Sequence, residues 1–344
     1  MISEIEWCFD WLERLCAVDS TSGREHAVLD PLRELLTELG ADVLVQPVDA
    51  GGSNVLARFG SNPRVLLTTH LDTVPPFFPP MREGHHLRAR GACDAKGQVV
   101  AQLAAIRRLL QGGVTDLAWL GVVREETDSA GAKAALQLKD RLGDLVGIVN
   151  GEPTENALGA GQRGFVALKL SCAGRAAHSG TPELGRSALW PLVDWLDVVR
   201  RAPLARDPEL GEEVVNVGVV HAGEAHNVVP AHAEALVLAR PVPGSTLLET
   251  IEHATPEHGR IEVLSRDEPR RFPPIEGFRS VPLTFGSDLP RLSALVDGGA
   301  IALAGPGSIH VAHTLDEHID AADLSAGIDL NARLVTQFRG AKHK

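Results

Sequence analysis

Five segments of the sequence place a good metal ligand at the end of a predicted strand or in the loop after it, which is where open α/β sheets build their sites. His70-Leu71-Asp72 ends the apolar run RVLLTT at 64–69. Alternate side chains of an extended chain share a face, so His70 and Asp72 point the same way and Asp72 can orient or polarise the imidazole. Asp94 lies in GACDAKG, just before a long predicted helix, where a carboxylate also gains from the helix N-terminus. Glu125-Glu126 follows the apolar run DLAWLGVV, Glu152 sits in NGEPT after LVGIVN, and His313 sits in GPGSIHVAHTLDEH near the end of the chain.

Taken singly, a strand-end His or Asp reads as a turn or cap residue, and an exposed glutamate pair as solvated charge. As a set, two histidines and three carboxylates are the donors that Zn²⁺ or Co²⁺ takes. Adjacent glutamates after a buried strand repel each other unless a cation or a proton separates their roles. With a metal the labour divides: Glu126 is a ligand, and Glu125 takes a proton from a water whose pKa the metal lowers to ~7. If Asp94 bridges, two metals ~3.5–4 Å apart share it, one completed by His70 and Glu152, the other by Glu126 and His313. The chemistry is attack by activated water on a carbonyl carbon.

The elements that must position these residues read as an α/β pattern. Ile5, Phe9, Leu12, Leu15 and Cys16 have helical spacing over 3–18, and Ser22 with Glu25 suggests a capping box opening a second helix, which Pro31 breaks or kinks. Strand-like runs follow at 41–48, 54–59 and 64–69, then a helix at 96–111 ended by Gly112-Gly113, a strand at 116–123, a helix at 130–142 and a strand at 145–150. Strands alternating with helices predict a domain with a largely parallel sheet flanked by helices. Between 164 and 272 the texture changes to α+β: strands at FVALKLSCAG, VVNVGVVHAG and AEALVLAR, helices at 189–201 and 245–254. The glycine- and proline-rich stretches GAGQRG and RRFPPIEG bracket this segment. The last 70 or so residues return to α/β, with a strand at 300–305 and a helix from about Asp320. His313 must join ligands from the first 152 residues, so 1–163 and 273–344 form one discontinuous catalytic metal-binding domain and 164–272 an inserted lid.

Composition sets outer limits. At roughly 150 residues per domain, 344 residues suit about two domains and a core large enough to need no metal or disulfide staple. A net charge of −12 disfavours nucleic acid. No apolar run approaches the ~20 residues of a membrane span and the N-terminus is acidic, so a cytoplasmic protein without membrane contact is expected. Cys8, Cys16, Cys93 and Cys172 form no C-x-x-C pair and read as buried small hydrophobes. Gly159 to Gly164 satisfies G-x-G-x-x-G, but a strand-like run follows it instead of a helix, so the dinucleotide reading fails. There is no G-x-S-x-G and no cysteine nucleophile motif.

HLDTVP, GACDAKG, REET, NGEPT and GPGSIHVAHTLDEH, in this order, resemble the dinuclear zinc amidohydrolase/peptidase family of acetylornithine deacetylase, succinyl-diaminopimelate desuccinylase, aminoacylase and carboxypeptidase G. The resemblance spans nearly the whole chain and is greatest to the acetylornithine deacetylase branch. It implies two Zn²⁺ or Co²⁺ ions on His70, Asp94 and Glu152 and on Asp94, Glu126 and His313, with Glu125 as general acid/base, Asp72 behind His70, and a cis peptide after Asp94. GRAAHSGTPELGRSA looks like a family stretch in which His178 reaches the oxyanion or the substrate carboxylate, often from the partner subunit. Asn227 and Arg240 match substrate-contacting positions, although Ala239 and Pro241 flank Arg240 where the family commonly has D-x-R with an apolar successor. Gly305-Pro306-Gly307 resembles a loop whose N–H groups hold a substrate carboxylate.

The resemblance therefore implies an amidohydrolase acting on a small N-acyl-L-amino acid in arginine or lysine biosynthesis, as a homodimer through the lid. Alternatives with the same chemistry are a desuccinylase, a carrier-protein-linked lysine or ornithine hydrolase, and a dipeptidase. A non-catalytic metal-binding relative is the distant alternative, and Glu125 argues against it because a binding module needs no general base.

Overall fold

The computed structural model describes residues 2–48 and 52–340. The chain divides into two compact units, Met1–Gly159 with Phe272–Val281 and Ser287–Lys344, and Ala160–Arg271 with Pro282–Gly286.

The first unit is built on a six-stranded sheet in the order Asp42–Pro47, Ser53–Phe59, Leu117–Val122, Val65–His70, Gly147–Asn150, Ala300–Leu303. The first two pairings are antiparallel and the last three parallel. Every residue of Val65–His70, Leu117–Val122 and Gly147–Asn150 is buried, which is why these strands read as unbroken apolar runs. Because these strands and Ala300–Leu303 run parallel, the loops after His70, Val122, Asn150 and Leu303 all leave from one edge of the sheet.

The helix Lys96–Gln111 packs against the sheet and against the final helix Ala321–Gly340, and its residues 96–106 are buried on every side. Burying each large aliphatic side chain in such a layer contributes roughly 1.5–3 kcal/mol. The one polar tip that the buried Trp119 brings into this core is satisfied, its Nε1–H donating to Gln102 Oε1 at 2.9 Å. Gly113, with φ +84°, provides the left-handed turn that ends the helix.

Three local expectations change. Ser22 caps no helix: a 3₁₀ turn at Glu25–Val28 leads into the helix Leu29–Glu38, and the Ser22 hydroxyl is drawn to Asp72 instead. Pro31 does not break that helix, because it falls in the first turn, where the missing N–H would have no intrahelical partner. The helix expected over 130–142 is α-helical only at Ala130–Ala135 and tightens to 3₁₀ over Leu136–Arg141.

The second unit is a four-stranded antiparallel sheet ordered Val214–Ala222, His232–Arg240, Phe165–Ala173, Gly259–Asp267. The helices Leu189–Arg201 and Leu247–His253 pack together against it, and the Trp195 Nε1–H donates to the Ile251 carbonyl at 2.9 Å. Leu168, Leu170, Ala235, Val237, Leu192, Trp195 and Ile251 form its own core, so it has the alternating pattern of a sheet covered on one face. Among the described residues, no helix is long and apolar enough to cross a membrane.

Candidate metal centre

The site stands at the carboxyl edge of the parallel strands. His70 ends its strand fully buried, with Nε2 2.9 Å from Asp94 Oδ1. The loop carrying Glu152 is tied to the neighbouring strand, Gly151 N–H donating to the Thr68 carbonyl at 2.7 Å and the Thr69 hydroxyl to the Gly151 carbonyl at 2.8 Å. His313, in the left-handed region at φ +63°, places Nε2 2.9 Å from Glu126 Oε1 and 3.3 Å from Asp94 Oδ2. Ligand atoms of His70, Asp94 and Glu152 lie within 4.8 Å of one another, as do those of Asp94, Glu126 and His313. Asp94 thus belongs to both groups, one carboxylate oxygen facing each imidazole.

Asp72 reaches further than the imidazole alone. The strand ends at His70, so alternation does not carry past it, and the imidazole Nδ1 meets the Asp72 backbone carbonyl at 2.9 Å, the carboxylate standing further off at 3.5 Å. That carboxylate also accepts the N–H of Glu125 at 3.0 Å, the N–H of Glu126 at 3.1 Å and the Ser22 hydroxyl at 2.7 Å. One buried aspartate therefore fixes the backbone of both glutamates and, through its carbonyl, the ring of His70. Arg124, at φ +62°, makes the turn that presents the two amides.

The electrostatics are those of a cation cage. Burial and the charge of Glu152 push the Glu125 carboxyl well above the usual carboxylate range. Burial likewise raises Glu126 and Glu152. Burial pulls His70 down, but the carboxylates of Asp72 and Asp94 overcome it and hold the imidazole well above its ordinary value. Hydrogen bonds to Asp94 and Glu126 push His313 up to about 10. The site crowds carboxylates together, and Glu152 Oε1 is buried without a hydrogen-bond partner among the described residues. Imidazoles and carboxylates with such an orphaned oxygen fit a divalent cation bound by nitrogen and oxygen.

The Gly305 to Gly307 loop lies beside Glu152. Gly305 N–H donates to Thr154 Oγ1 at 3.0 Å and its carbonyl accepts from the Thr154 and Asn156 amides, so its own N–H already has a protein partner. A Cβ on Gly305 would fall 1.8 Å from Gln98 Oε1 and 2.8 Å from the Glu152 carbonyl, which explains glycine there. Gly307 has φ +79° and packs against Cys93. The Asp94–Ala95 peptide is cis.

Sequence reasoning missed Ser22, whose hydroxyl resembled a helix cap, and Asp288, whose carboxyl burial pushes up to about 6 and whose charge adds to the field at Glu125 and Glu152. Neither carries a local signal for this role, because both act through tertiary proximity. In the second unit His178 and Asn227 are exposed neighbours: Ser179 N–H donates to the Asn227 carbonyl at 3.0 Å and His178 bridges to Val228. Arg240 is half-buried at the end of its strand, its guanidinium 5.0 Å from the Phe165 ring.

Comparison with known proteins is consistent across the chain. The model of peptidase family M20/M25/M40 matches residues 66–337. A peptidase M20 domain-containing protein of Schizosaccharomyces pombe is 35% identical over 93% of this chain and 82% of its own length. A probable carboxypeptidase of Emericella nidulans is 34% identical over 94% and 87% respectively. The crystal structure of aminopeptidase PepT from Bacillus cereus superposes with a TM-score of 0.79 at 20% identity, covering 97% of this chain and 99% of that one, which shows a shared fold.

Proposed function

The chain belongs to the peptidase M20/M25/M40 family of metal-dependent hydrolases, and on that premise we propose that it is a dinuclear zinc peptidase cleaving the last peptide bond of short peptides. The observation that carries the reading is Asp94 between two ligand groups, with Glu125 beside the ligand Glu126 and held by Asp72. Similarity to a probable carboxypeptidase supports the substrate class.

His70, Asp94 and Glu152 would hold one ion, and Asp94, Glu126 and His313 the other. When bound, the ions polarise a scissile carbonyl and bring the pKa of a water near ~7. Glu125 would take a proton from the water that attacks the carbonyl carbon and give it to the amine as the C–N bond breaks. Burial raises the Glu125 carboxyl above the usual carboxylate range, the direction in which a carboxylate becomes a better proton acceptor. Asp72 keeps the Glu125 backbone fixed while its carboxyl gains and loses the proton. His178, Asn227, Arg240 and the Gly307 loop are the proposed contacts to substrate oxygens and carboxylate.

A deacetylase acting on an N-acyl-L-amino acid is the second reading, favoured by the NGEPT and GPGSIHVAHTLDEH segments. A homodimer through the lid is also proposed. It is supported by Val214–Ala222, an outer strand of its sheet whose Val214, Val217, Val219 and Val220 are exposed.

The discriminating experiment offers the Zn²⁺- or Co²⁺-loaded protein N-blocked dipeptides with a free carboxylate, the same dipeptides as C-terminal amides, free dipeptides and N-acetyl-ornithine. Release of the last residue from N-blocked dipeptides but not from their amides is expected. Release from N-acetyl-ornithine alone would favour the deacetylase, and no release from any substrate with metal bound would favour a binding role.

A further inference from the structure

Glu317 is fully buried and four positions beyond His313. Its Oε1 accepts three backbone N–H groups of the loop that carries Asp94: Gly91 at 2.9 Å, Cys93 at 3.2 Å and Asp94 itself at 3.0 Å. Its Oε2 pairs with the guanidinium of Arg90, also buried. The Glu317 carbonyl accepts the Ala89 N–H at 3.0 Å, and the following residues His318–Asp320 pair antiparallel with His86–Arg88. Arg90 extends the network, its Nε–H donating to the Pro76 carbonyl at 3.2 Å in the segment that follows Asp72.

A buried ion pair is weak evidence for stability, since desolvation of both charges offsets most of their attraction. This pair, however, is spent on geometry. Asp94 and His313 must both reach one ion, yet they come from segments more than two hundred residues apart. The short run from His313 to Glu317 ties one segment to the amide of Asp94 in the other. A charged acceptor holds amides more strongly than a neutral one, so three N–H groups converging on one carboxylate oxygen fix the loop more tightly than an amide oxygen could.

We propose that Glu317, neutralised by Arg90, is a positioning residue that sets the spacing between the Asp94 and His313 ligands. The proposal rests on the metal-site reading of those two residues and is independent of the substrate.

The test is Co²⁺ binding to the full-length, metal-stripped protein, followed by titration and by the visible absorption of the bound ion, without substrate. Glu317→Gln is expected to bind one of the two Co²⁺ ions roughly 10–100-fold more weakly and with an altered spectrum. Glu317→Asp keeps the charge, withdraws the carboxylate by one methylene, and serves if the glutamine variant fails to fold; a smaller loss in the same direction is expected. Phe338→Ala removes a core ring remote from these groups, so it is expected to lower the Tm while leaving Co²⁺ affinity and spectrum unchanged. A folded Glu317 variant with wild-type affinity at both sites and an unchanged spectrum overturns the proposal. So does a Phe338→Ala variant that loses affinity and changes spectrum as much as Glu317→Gln, because the effect would then be general destabilisation. Absence of hydrolysis by a wild-type protein that binds two Co²⁺ would count against the peptidase reading alone.

Discussion

The carboxylate of Asp72 accepts the backbone N–H of Glu125 at 3.0 Å. Glu125, the proposed general acid/base, is thereby held from behind, at its main chain, by a residue that also fixes the amide of Glu126 and the ring of His70. Asp72→Asn keeps the shape but puts an amide nitrogen where one N–H or the Ser22 hydroxyl must be accepted. A fall in kcat of about 10–100-fold is expected, with KM changing less, as for other groups that orient metal ligands. Steady-state kinetics on the metal-loaded variant check it, and an unchanged kcat would count against the role given to Asp72.

Ser22→Ala removes one of the donors on that carboxylate. The Asp72 carboxylate lies below its usual range although burial raises it, because the hydrogen bonds of His70 and Ser22 and the Glu126 amide favour the charge. Losing the hydroxyl is expected to cost about 1–3 kcal/mol of stability, the range for an under-satisfied buried polar group. Denaturant unfolding measures it.

The sequence shows the parallel strands and, with them, the candidate ligands His70, Glu126 and Glu152 and the neighbouring Glu125, because each lies just past an apolar run, whereas Asp94 and His313 are legible only through their motifs and the helix that follows Asp94. Such a run marks a strand buried on both faces, and residues after it fall at the sheet edge. Ser22 reads as a cap because Ser-x-x-Glu matches a capping box locally, while the partner that wins, Asp72, is fifty positions away. Glu317 lies inside the recognisable HTLDEH stretch, yet nothing local distinguishes a glutamate that clamps three amides from a solvated one. Strand alternation speaks only to the Asp72 contact with His70, and its hold on the amides of Glu125 and Glu126 has no local signal, because those residues come from another strand end.

Gly305→Ala would drive a methyl group into Gln98 Oε1 and the Glu152 carbonyl. Because the Glu152 contact is backbone, it cannot be relieved by a side-chain rotation alone. A loss of about 1–3 kcal/mol is expected from overpacking, together with weaker binding of one metal ion. Thermal unfolding and Co²⁺ titration of the variant test the two parts separately, and wild-type values in both would contradict the tight approach described.

The second unit should show an acid-sensitive tie at Asp207. Its carboxylate accepts the Leu210 and Glu209 amides at 2.9 Å each and pairs with Arg271, and these contacts lower its pKa below the ordinary 3.8. A carboxylate depressed in the folded state contributes stability above its unfolded value and loses it as pH falls through the folded one. Between pH 5 and about 2, Asp207→Asn is expected to flatten the decline in unfolding stability seen in the parent. Equal slopes in the two proteins would remove Asp207 from this account.

The most direct test of the central claim compares the parent with Glu125→Ala after chelation and reloading, measuring bound Co²⁺ and turnover of an N-blocked dipeptide on the same samples. Both proteins are predicted to bind two ions per chain, with turnover present in the parent and reduced by about 10²–10⁴-fold in the variant, the usual contribution of a general acid/base. Turnover that survives either metal removal or Glu125→Ala would contradict the account.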